Sequence, residues 1–444
     1  FFGTINSLDQ LKEFMAQQLY PEAIKFYENN KNKKVAEIRS AQGCVARCTF
    51  CQRYIKGYRP YSPQDFESHL IELKEKHNVA LLFLNDENAL SNKKQAYQIA
   101  KVFKKHNMYW TAQGVRATTC TYEDLKFYKE NNLLAIRFGI ESGSQKILNI
   151  MEKKITIQNA RNALENCKKL KIGVATDMFM LGMPGETTET VLESAKLSGE
   201  LRYMVGKNWN VENTPLAMAI PGTPLYEYSQ QIGVIGASIE EEEDYLYRTS
   251  EFSNKDILTY LNKTTSKQAD IHYWTYLYRL FGKRIYTREI LKSNKSLKNK
   301  IIDYYENCIK ASSEGIEIYF NKIDKSFKHN LKRYFLHSFQ FILTLSVTFL
   351  PKKFLFFLIR MAAYYDFSII KKRHEEKVGK QKHNCFMNLT GQNKKGFSIY
   401  KNTDLESEKS INISLRKVVA KNRELLEPVI TEEAKSLQIL AAGQ

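Results

Sequence analysis

The 444-residue chain lacks several features that would place it quickly. It has no cysteine framework: of seven cysteines, four stand singly, at Cys120, Cys167, Cys308 and Cys385. An odd, scattered set excludes a disulfide scaffold and suits a reducing compartment, so a cytoplasmic location is expected. No basic start followed by a long apolar core opens the chain, so no signal peptide is read there. Phe1 is not an initiator methionine, which fits a fragment or a processed chain. The net charge is +19, from 67 Lys and Arg against 48 Asp and Glu. No recognised nucleic-acid module accompanies it, so nucleic acid is not an expected partner and the excess reads as composition. Hydrophobic residues make up 43% of the chain, enough for a sizeable core, which excludes global disorder.

The other three cysteines lie within eight residues, Cys44-Val45-Ala46-Arg47-Cys48-Thr49-Phe50-Cys51, spaced C-x3-C-x2-C. Thiolates are the ligands of iron–sulfur clusters, and a loop of this spacing can aim three sulfurs at one cluster. A four-iron cluster has four corners, so three cysteines leave one iron open to a substrate or cofactor. A structural zinc site is the plain alternative. It needs four ligands at close spacing, and the next candidates, His69 and Cys120, are distant in sequence.

From Val35 the chain alternates between strand and helix patterns. Strands are expected at 35–40, 79–84, 109–112, 134–139, 174–181 and 209–217. Helices are expected at 63–77, 92–106, 122–131, 145–151, 157–170 and 187–201. Such repeats imply an α/β fold with a parallel sheet and helices outside, and six of them make an incomplete barrel. Function in such sheets collects at the carboxyl ends of the strands. The second strand ends in Asn85-Asp86-Glu87, which reads either as a turn or as a seat for a cationic amine. The third ends in Gln113-Gly114-Val115-Arg116, whose Arg is read as a surface group or as facing a carboxylate. The fourth ends in Gly139-Ile140-Glu141-Ser142-Gly143-Ser144, followed by Lys153-Lys154. The fifth ends in Gly182-Met183-Pro184-Gly185-Glu186, a tight turn. After the sixth comes Ile220-Pro221-Gly222-Thr223-Pro224-Leu225-Tyr226.

The cysteine loop with Phe50 before its third cysteine, and these ordered strand-end motifs over about residues 35–235, resemble the radical S-adenosylmethionine (SAM) superfamily. Lys56-Gly57-Tyr58-Arg59-Pro60-Tyr61-Ser62 and the 220–226 segment are similar to members with a cobalamin-binding domain, including the anaerobic magnesium-protoporphyrin monomethyl ester cyclases. The resemblance implies a partial (β/α)6, TIM-like barrel. It implies that Cys44, Cys48 and Cys51 hold a [4Fe–4S] cluster whose open iron binds SAM. One electron then cleaves SAM to methionine and a 5′-deoxyadenosyl radical, which takes a hydrogen atom from the substrate. By the same analogy Phe50, Asn85, Asp86, Glu141 and Lys153 bind SAM, with Glu141 on the ribose and Lys153 on the carboxylate; the adjacent Lys154 leaves that register open. The implied reaction is methyl transfer to an unreactive carbon, or an oxidative cyclisation or rearrangement. An electron donor such as ferredoxin or flavodoxin is an implied partner.

The chain departs from the cobalamin type in one respect. The 34 residues before the core are read as a linker too short for a cobalamin domain, and no D-x-H-x-x-G motif occurs, Asp270-Ile271-His272 being the nearest approach. The expectation is either a truncated chain or a member that works without cobalamin. Residues 236–365 are expected to be a helical extension whose tyrosines cover the open side of the barrel, and 366–444 a polar, loosely ordered tail with one helix near its end. Within 334–365 the most apolar stretch of the chain is broken by Pro351-Lys352-Lys353. It falls short of the roughly 20 apolar residues that a membrane span needs, and reads as an interfacial helix, a marginal span, or core or dimer packing. Peripheral membrane contact and a lipid-like or other small-molecule substrate follow from the interfacial reading. The rivals to this assignment are an RNA-modifying methylthiotransferase, which normally carries a second cluster domain, and a non-catalytic electron carrier or scaffold. A carrier usually saturates its cluster with cysteine, which this loop cannot do.

Overall fold

The structure is a computed structural model. It describes residues 6–7, 25–26, 28–30, 32–53, 55–175, 179–205, 216–232, 269–304, 348–378 and 411–424, with Ile235, Glu242, Glu243, Tyr245, Leu246 and Leu405.

Runs of alternating or continuous apolar residues form a sheet ordered β1-β2-β5-β6-β7-β8. Strand β1 (Asn6–Ser7) is antiparallel at the edge. The others, β2 (Lys34–Ile38), β5 (Val79–Leu84), β6 (Tyr109–Val115), β7 (Leu133–Phe138) and β8 (Gly173–Ala175), are parallel. Between β2 and β5 lies a hairpin of β3 (Ala41–Gln42) and β4 (Arg59–Pro60) that frames the cysteine loop. The crossovers are α1 (Pro63–His77), α2 (Lys93–Lys105), α3 (Tyr122–Glu130), α4 (Gln145–Ile150) and α5 (Ile157–Lys169). Their limits follow local chemistry. Ser62 caps α1, with Pro63 in its first turn, and Asn78 ends it in the left-handed region. Thr121 with Asp124 and Thr156 with Asn159 form capping boxes on α3 and α5.

One face of the sheet is sealed by these helices. Ile38, Leu84, Ala112, Ile136 and Phe138 join Phe66, Leu70, Ile99, Phe103, Leu125 and Leu164 in one core. Two to five kcal/mol per large apolar side chain truncated to Ala is the usual scale for such positions, so about that much rides on each. The described strands form an open sheet and not a closed barrel. Past β8 the parallel order continues as single bridges, Glu141 with Phe179 and Leu181 with Leu216. Most of the sixth expected strand, 209–217, lies outside the described residues.

Beyond the sheet, α6 (Thr188–Val205) is followed by α7 (Pro224–Gln231), α8 (Ala269–Lys292), α9 (Leu297–Tyr304) and α10 (Lys352–Val378). The tyrosines of α8 pack along the outer helix α6: Tyr278 donates to Ser198 (2.9 Å), and Trp274 to Thr188 (3.3 Å). Tyr278 also lies 5.9 Å from the Phe179 ring. Pro351 starts α10, as a proline can at a helix N-terminus. The helix packs on α8 through Leu355, Ile359 and Ala363 and leaves Phe354, Phe357, Met361 and Tyr365 exposed. Residues 334–347 lie outside the described residues, and among the described ones no helix is long and apolar enough to cross a membrane.

α8 comes close to α6 at Gly199, where a Cβ would sit 2.6 Å from the Gly282 carbonyl and 3.0 Å from Ile285 Cβ. Gly199→Ala should therefore lower stability by about 1–3 kcal/mol in urea unfolding, through overpacking. An unchanged midpoint would mean that α8 does not dock there.

Candidate functional site

The cysteine loop leaves β2 at Ser40 and has almost no regular structure of its own. Its entry is fixed from the next strand. Asp86, buried after β5, accepts hydrogen bonds from the Ser40 N–H (2.8 Å), the Ala41 N–H (3.2 Å) and the Ser40 hydroxyl (2.5 Å). Burial pushes the Asp86 pKa up, and these donors oppose it. The Ser40 carbonyl accepts in turn from Gln95 (2.6 Å) and from the Tyr61 N–H (2.9 Å), while the Tyr58 hydroxyl donates to Gln95 (2.5 Å). So the 56–62 segment closes the hairpin behind the loop. Gly43 permits this with φ +80°; a Cβ there would lie 2.5 Å from the Gly57 carbonyl.

The far end of the loop is held by Thr49. Its N–H donates to Met151 (2.9 Å), its hydroxyl to Ile150 (3.0 Å), and its carbonyl accepts from the Leu225 N–H (3.0 Å). Leu225 lies in the first turn of α7, which Thr223 caps. The 220–226 motif is thus a clip on the cysteine loop.

Between these anchors Cys44 is half-buried, Cys48 buried and Cys51 exposed, and all three are free thiols. Burial pushes the Cys44 thiol up, with Cys48 adding to the shift and the Ala46 N–H and Arg116 opposing it. Protein packed around it, then Cys48 and Cys44, push Cys51 up to about 11. Cys48 thus acts on both Cys44 and Cys51, so the three thiols share one space, and a cationic centre among them would remove that cost. Among the described residues no three His, Cys, Asp or Glu side chains converge on a single ion. A lone zinc ion needs its sulfurs only ~3.8 Å apart, given Zn–S bonds of ~2.3 Å in a tetrahedron. In a [4Fe–4S] cluster each sulfur takes a different iron, and three thiolates on one loop are a donor set of that chemistry.

Beside the loop lies the Glu141–Lys153 ion pair at 2.8 Å, with side chains 12% and 10% exposed. Glu141 holds φ +69°, uncommon for a residue with a side chain, and is pinned there by the Met180 N–H on its carbonyl (2.8 Å). Gly139 leaves the room: a Cβ there would sit 2.8 Å from Glu141 Oε1 and 3.0 Å from Lys153 Nζ. Lys153 Nζ stands 5.9 Å from the centre of the Phe50 ring, and Lys153 and Glu141 both act on the Cys51 thiol. Lys154 is exposed, so of the two adjacent lysines it is Lys153 that faces the loop. Arg116 donates to the Lys153 carbonyl and faces Cys44 electrostatically. Asn85 donates to Glu37 on β2 (3.1 Å). Of the residues read from sequence, the structure therefore groups Cys44, Cys48, Phe50, Cys51, Glu141 and Lys153. It turns the Asp86 carboxylate to the loop's backbone.

The Gly182–Glu186 turn closes on itself. Glu186 is fully buried and accepts from the Gly182 N–H (2.5 Å), and burial pushes its pKa up to about 8 against the Gly182 and Met183 donors. Gly185 lies where a Cβ would meet Ile150 at 2.7 Å.

A helix near the end of the chain is expected, but nothing in the sequence places it beside the loop. Residues 411–424, helical from 415, lie against the loop. Arg416 donates to the Arg47 carbonyl (2.8 Å) and to Glu152 (3.2 Å), and Ser414 also donates to Glu152. Burial works against the ionised Glu152, but Ser414 and Arg416 outweigh it and hold its pKa low. Leu415 and Val419 join Ile147, Ile150, Met151 and Leu225 in a second core, and Arg423 pairs with Glu227 of α7.

Residues 38–198 match the Radical SAM superfamily. The chain carries a radical SAM domain. That family uses a [4Fe–4S] cluster and SAM. The chain is 29% identical over 197 residues to an uncharacterized methyltransferase of Pyrococcus horikoshii, covering 43% of this chain and 41% of that one. It is 25% identical over 209 residues to the anaerobic magnesium-protoporphyrin IX monomethyl ester cyclase of Rubrivivax gelatinosus, covering 46% and 36%. A tRNA-2-methylthio-N(6)-dimethylallyladenosine synthase of Ehrlichia ruminantium matches at 24% over 325 residues, 68% of this chain and 65% of that one. Among solved structures, the radical SAM methyltransferase TsrM of Kitasatospora setae, with cobalamin and a [4Fe–4S] cluster bound, aligns with a TM-score of 0.39 and 14% identity, over 47% of this chain and 39% of that one. The chain thus spans about two fifths of the length of the first two relatives.

Glu186 yields a pH prediction. Its folded pKa lies above the ordinary 4.5, at about 8, so folding takes up a proton between those values and stability falls as pH rises through them. Glu186→Gln, always neutral, should flatten that fall by up to ~1.4 kcal/mol per pH unit in urea titrations. Parallel profiles for the two proteins would mean that Glu186 is ionised in the fold.

Proposed function

We propose that Cys44, Cys48 and Cys51 hold a [4Fe–4S] cluster, that SAM occupies its open iron, and that the chain initiates methyl transfer to, or oxidative cyclisation of, a small molecule. The observation that carries this reading is the three-thiol loop stapled beside the Glu141–Lys153 pair. When bound, the cluster supplies the electron that cleaves SAM to the hydrogen-abstracting 5′-deoxyadenosyl radical.

The chain's own residues bind, orient and shield. The Lys153 ammonium offers a point charge for the SAM carboxylate. Glu141, acceptor-only when ionised, suits the two hydroxyls of the ribose. The two groups hold each other at 2.8 Å in a largely closed site, and bound SAM would take the place of each partner's contact with the other. Phe50 lines the space between that pair and Cys51. Asp86 acts as a positioning residue through Ser40 and Ala41, and Asn85 through Glu37. A reductant of the ferredoxin or flavodoxin kind delivers the electron. Residues 35–235 form the core of this unit, with 236–365 and 366–444 as its extensions. Cobalamin enters this reading if the reaction is methyl transfer to an unreactive carbon.

A second reading, a tRNA methylthiotransferase, is favoured by the similarity over 68% of the chain. It calls for a second cluster. Cys120 and Cys167 are both buried, and Cys308 and Cys385 lie outside the described residues. An iron count separates the two: one cluster per chain supports the first reading, two the second.

Anaerobic reconstitution with iron and sulfide, then SAM and a strong reductant with and without cobalamin, should give 5′-deoxyadenosine. Cys48→Ala should abolish it, and Lys153→Met should raise the SAM concentration needed at least tenfold, about 1.4 kcal/mol of lost binding. S-adenosylhomocysteine alongside marks methyl transfer. A fully loaded cluster that leaves SAM intact overturns the proposal.

Arg416 supports the loop from outside, so Arg416→Ala should speed loss of cluster iron to a chelator several-fold, followed by visible absorbance. Arg416→Lys, which keeps one donor and the charge, should fall between. Equal rates for all three would show that the 411–424 segment does not hold the loop.

A further inference from the structure

The side of the sheet that faces away from the helices is layered. At its base Phe26, Val35, Ala80, Leu81 and Leu134 form an apolar floor with Tyr109 beside it. One layer above, Glu37, Phe83, Thr111 and Ala135 stand side by side in register on β2, β5, β6 and β7. Their chain neighbours Ile38, Leu84, Ala112 and Ile136 belong to the helix-side core, so the alternation of a strand sends this row the other way. Arg137 follows Ala135 by two, opposite Ala175 of β8, and therefore shares the row's face. Gly139 follows by two more, and its open Cα faces the Glu141–Lys153 pair. Arg137 thus lies about 7 Å, two strand residues, below that pair.

Arg137 has no hydrogen bond or ion pair among the described residues, and its Nε is shut off from water. Glu37, on the same face, bonds to Asn85. A bare guanidinium in a partly closed space is costly unless an acceptor comes to it, and its fork matches a carboxylate or a phosphate.

We infer that this face is a polar substrate chamber and that Arg137 binds a carboxylate or phosphate group of the substrate. The inference rests on the radical SAM reading above, because it takes the space below the Glu141–Lys153 pair as the substrate's. It also narrows that reading: Glu37, Asn85, Thr111 and Arg137, standing among Phe83 and Ala135, suit a compact anion better than a lipid chain.

The test is chemical footprinting of the full chain with phenylglyoxal, which modifies accessible guanidinium groups, read at Arg137 by mass spectrometry. Inorganic phosphate and acetate are the two probes, each with and without SAM. The expected result is that at least one anion slows Arg137 modification several-fold, also when SAM is present. Phosphate alone protecting points to a phosphorylated substrate, acetate alone to a carboxylic acid. The same anion should raise the unfolding temperature of the wild type and not that of Arg137→Gln, since a ligand that binds only the folded state stabilises it. The inference is overturned if Arg137 reacts at one rate with and without both anions, or does not react at all. It is also overturned if SAM alone gives full protection, because the guanidinium would then belong to the SAM carboxylate. Failure of the radical SAM reading would show separately, as a loaded protein that makes no 5′-deoxyadenosine whatever the footprint.

Discussion

The site depends on hydrogen bonds that a loop without regular structure receives from its neighbours. Cys44 to Cys51 cannot shape itself. Asp86 fixes its entry through Ser40 and Ala41, and Thr49 fixes its exit through Ile150, Met151 and Leu225. Asp86 follows the carboxyl end of a strand, Ile150 and Met151 end one helix and Leu225 starts another, so the sheet and its crossovers set where the thiols stand.

The charges around the loop follow from the same frame. Lys153 and Glu141 reach each other because Gly139 leaves the space and Glu141 accepts a left-handed backbone. Such strain is tolerated where surrounding structure over-determines it, here through the bond from Met180 to the Glu141 carbonyl. Below this pair the sheet face turns polar at Arg137 and Glu37, and only at its floor does it become apolar. The ion pair, the polar row and the apolar floor are successive layers of the same strands.

Much of this was legible in the sequence because it is local. Strand 79–84 and helix 63–77 stand in the structure at the expected limits, since continuous apolar runs and capping signals are read residue by residue. The Gly-Ile-Glu-Ser-Gly-Ser segment and the cysteine spacing could be picked out as candidates for the same reason. What could not be read was contact across the chain. Asp86 reads as a turn residue or an amine ligand, and its bonds to Ser40, 46 residues away, could not be read from that segment. Arg416 meets Arg47 across 369 residues, and no periodicity announces that. The helix from Lys352 outruns the expected limit at 365 because Pro351 opens a helix as readily as it ends one. Arg137 reads from sequence as one residue of a strand; only the register assigns it a face.

Electron paramagnetic resonance of the reduced, reconstituted protein tests the central claim most directly: three cysteines leave one iron open to SAM. The account predicts a single [4Fe–4S] signal whose g-values shift when SAM is added, and a shift that weakens when Lys153 is replaced by Met. A loaded cluster whose spectrum is the same with and without saturating SAM would contradict it.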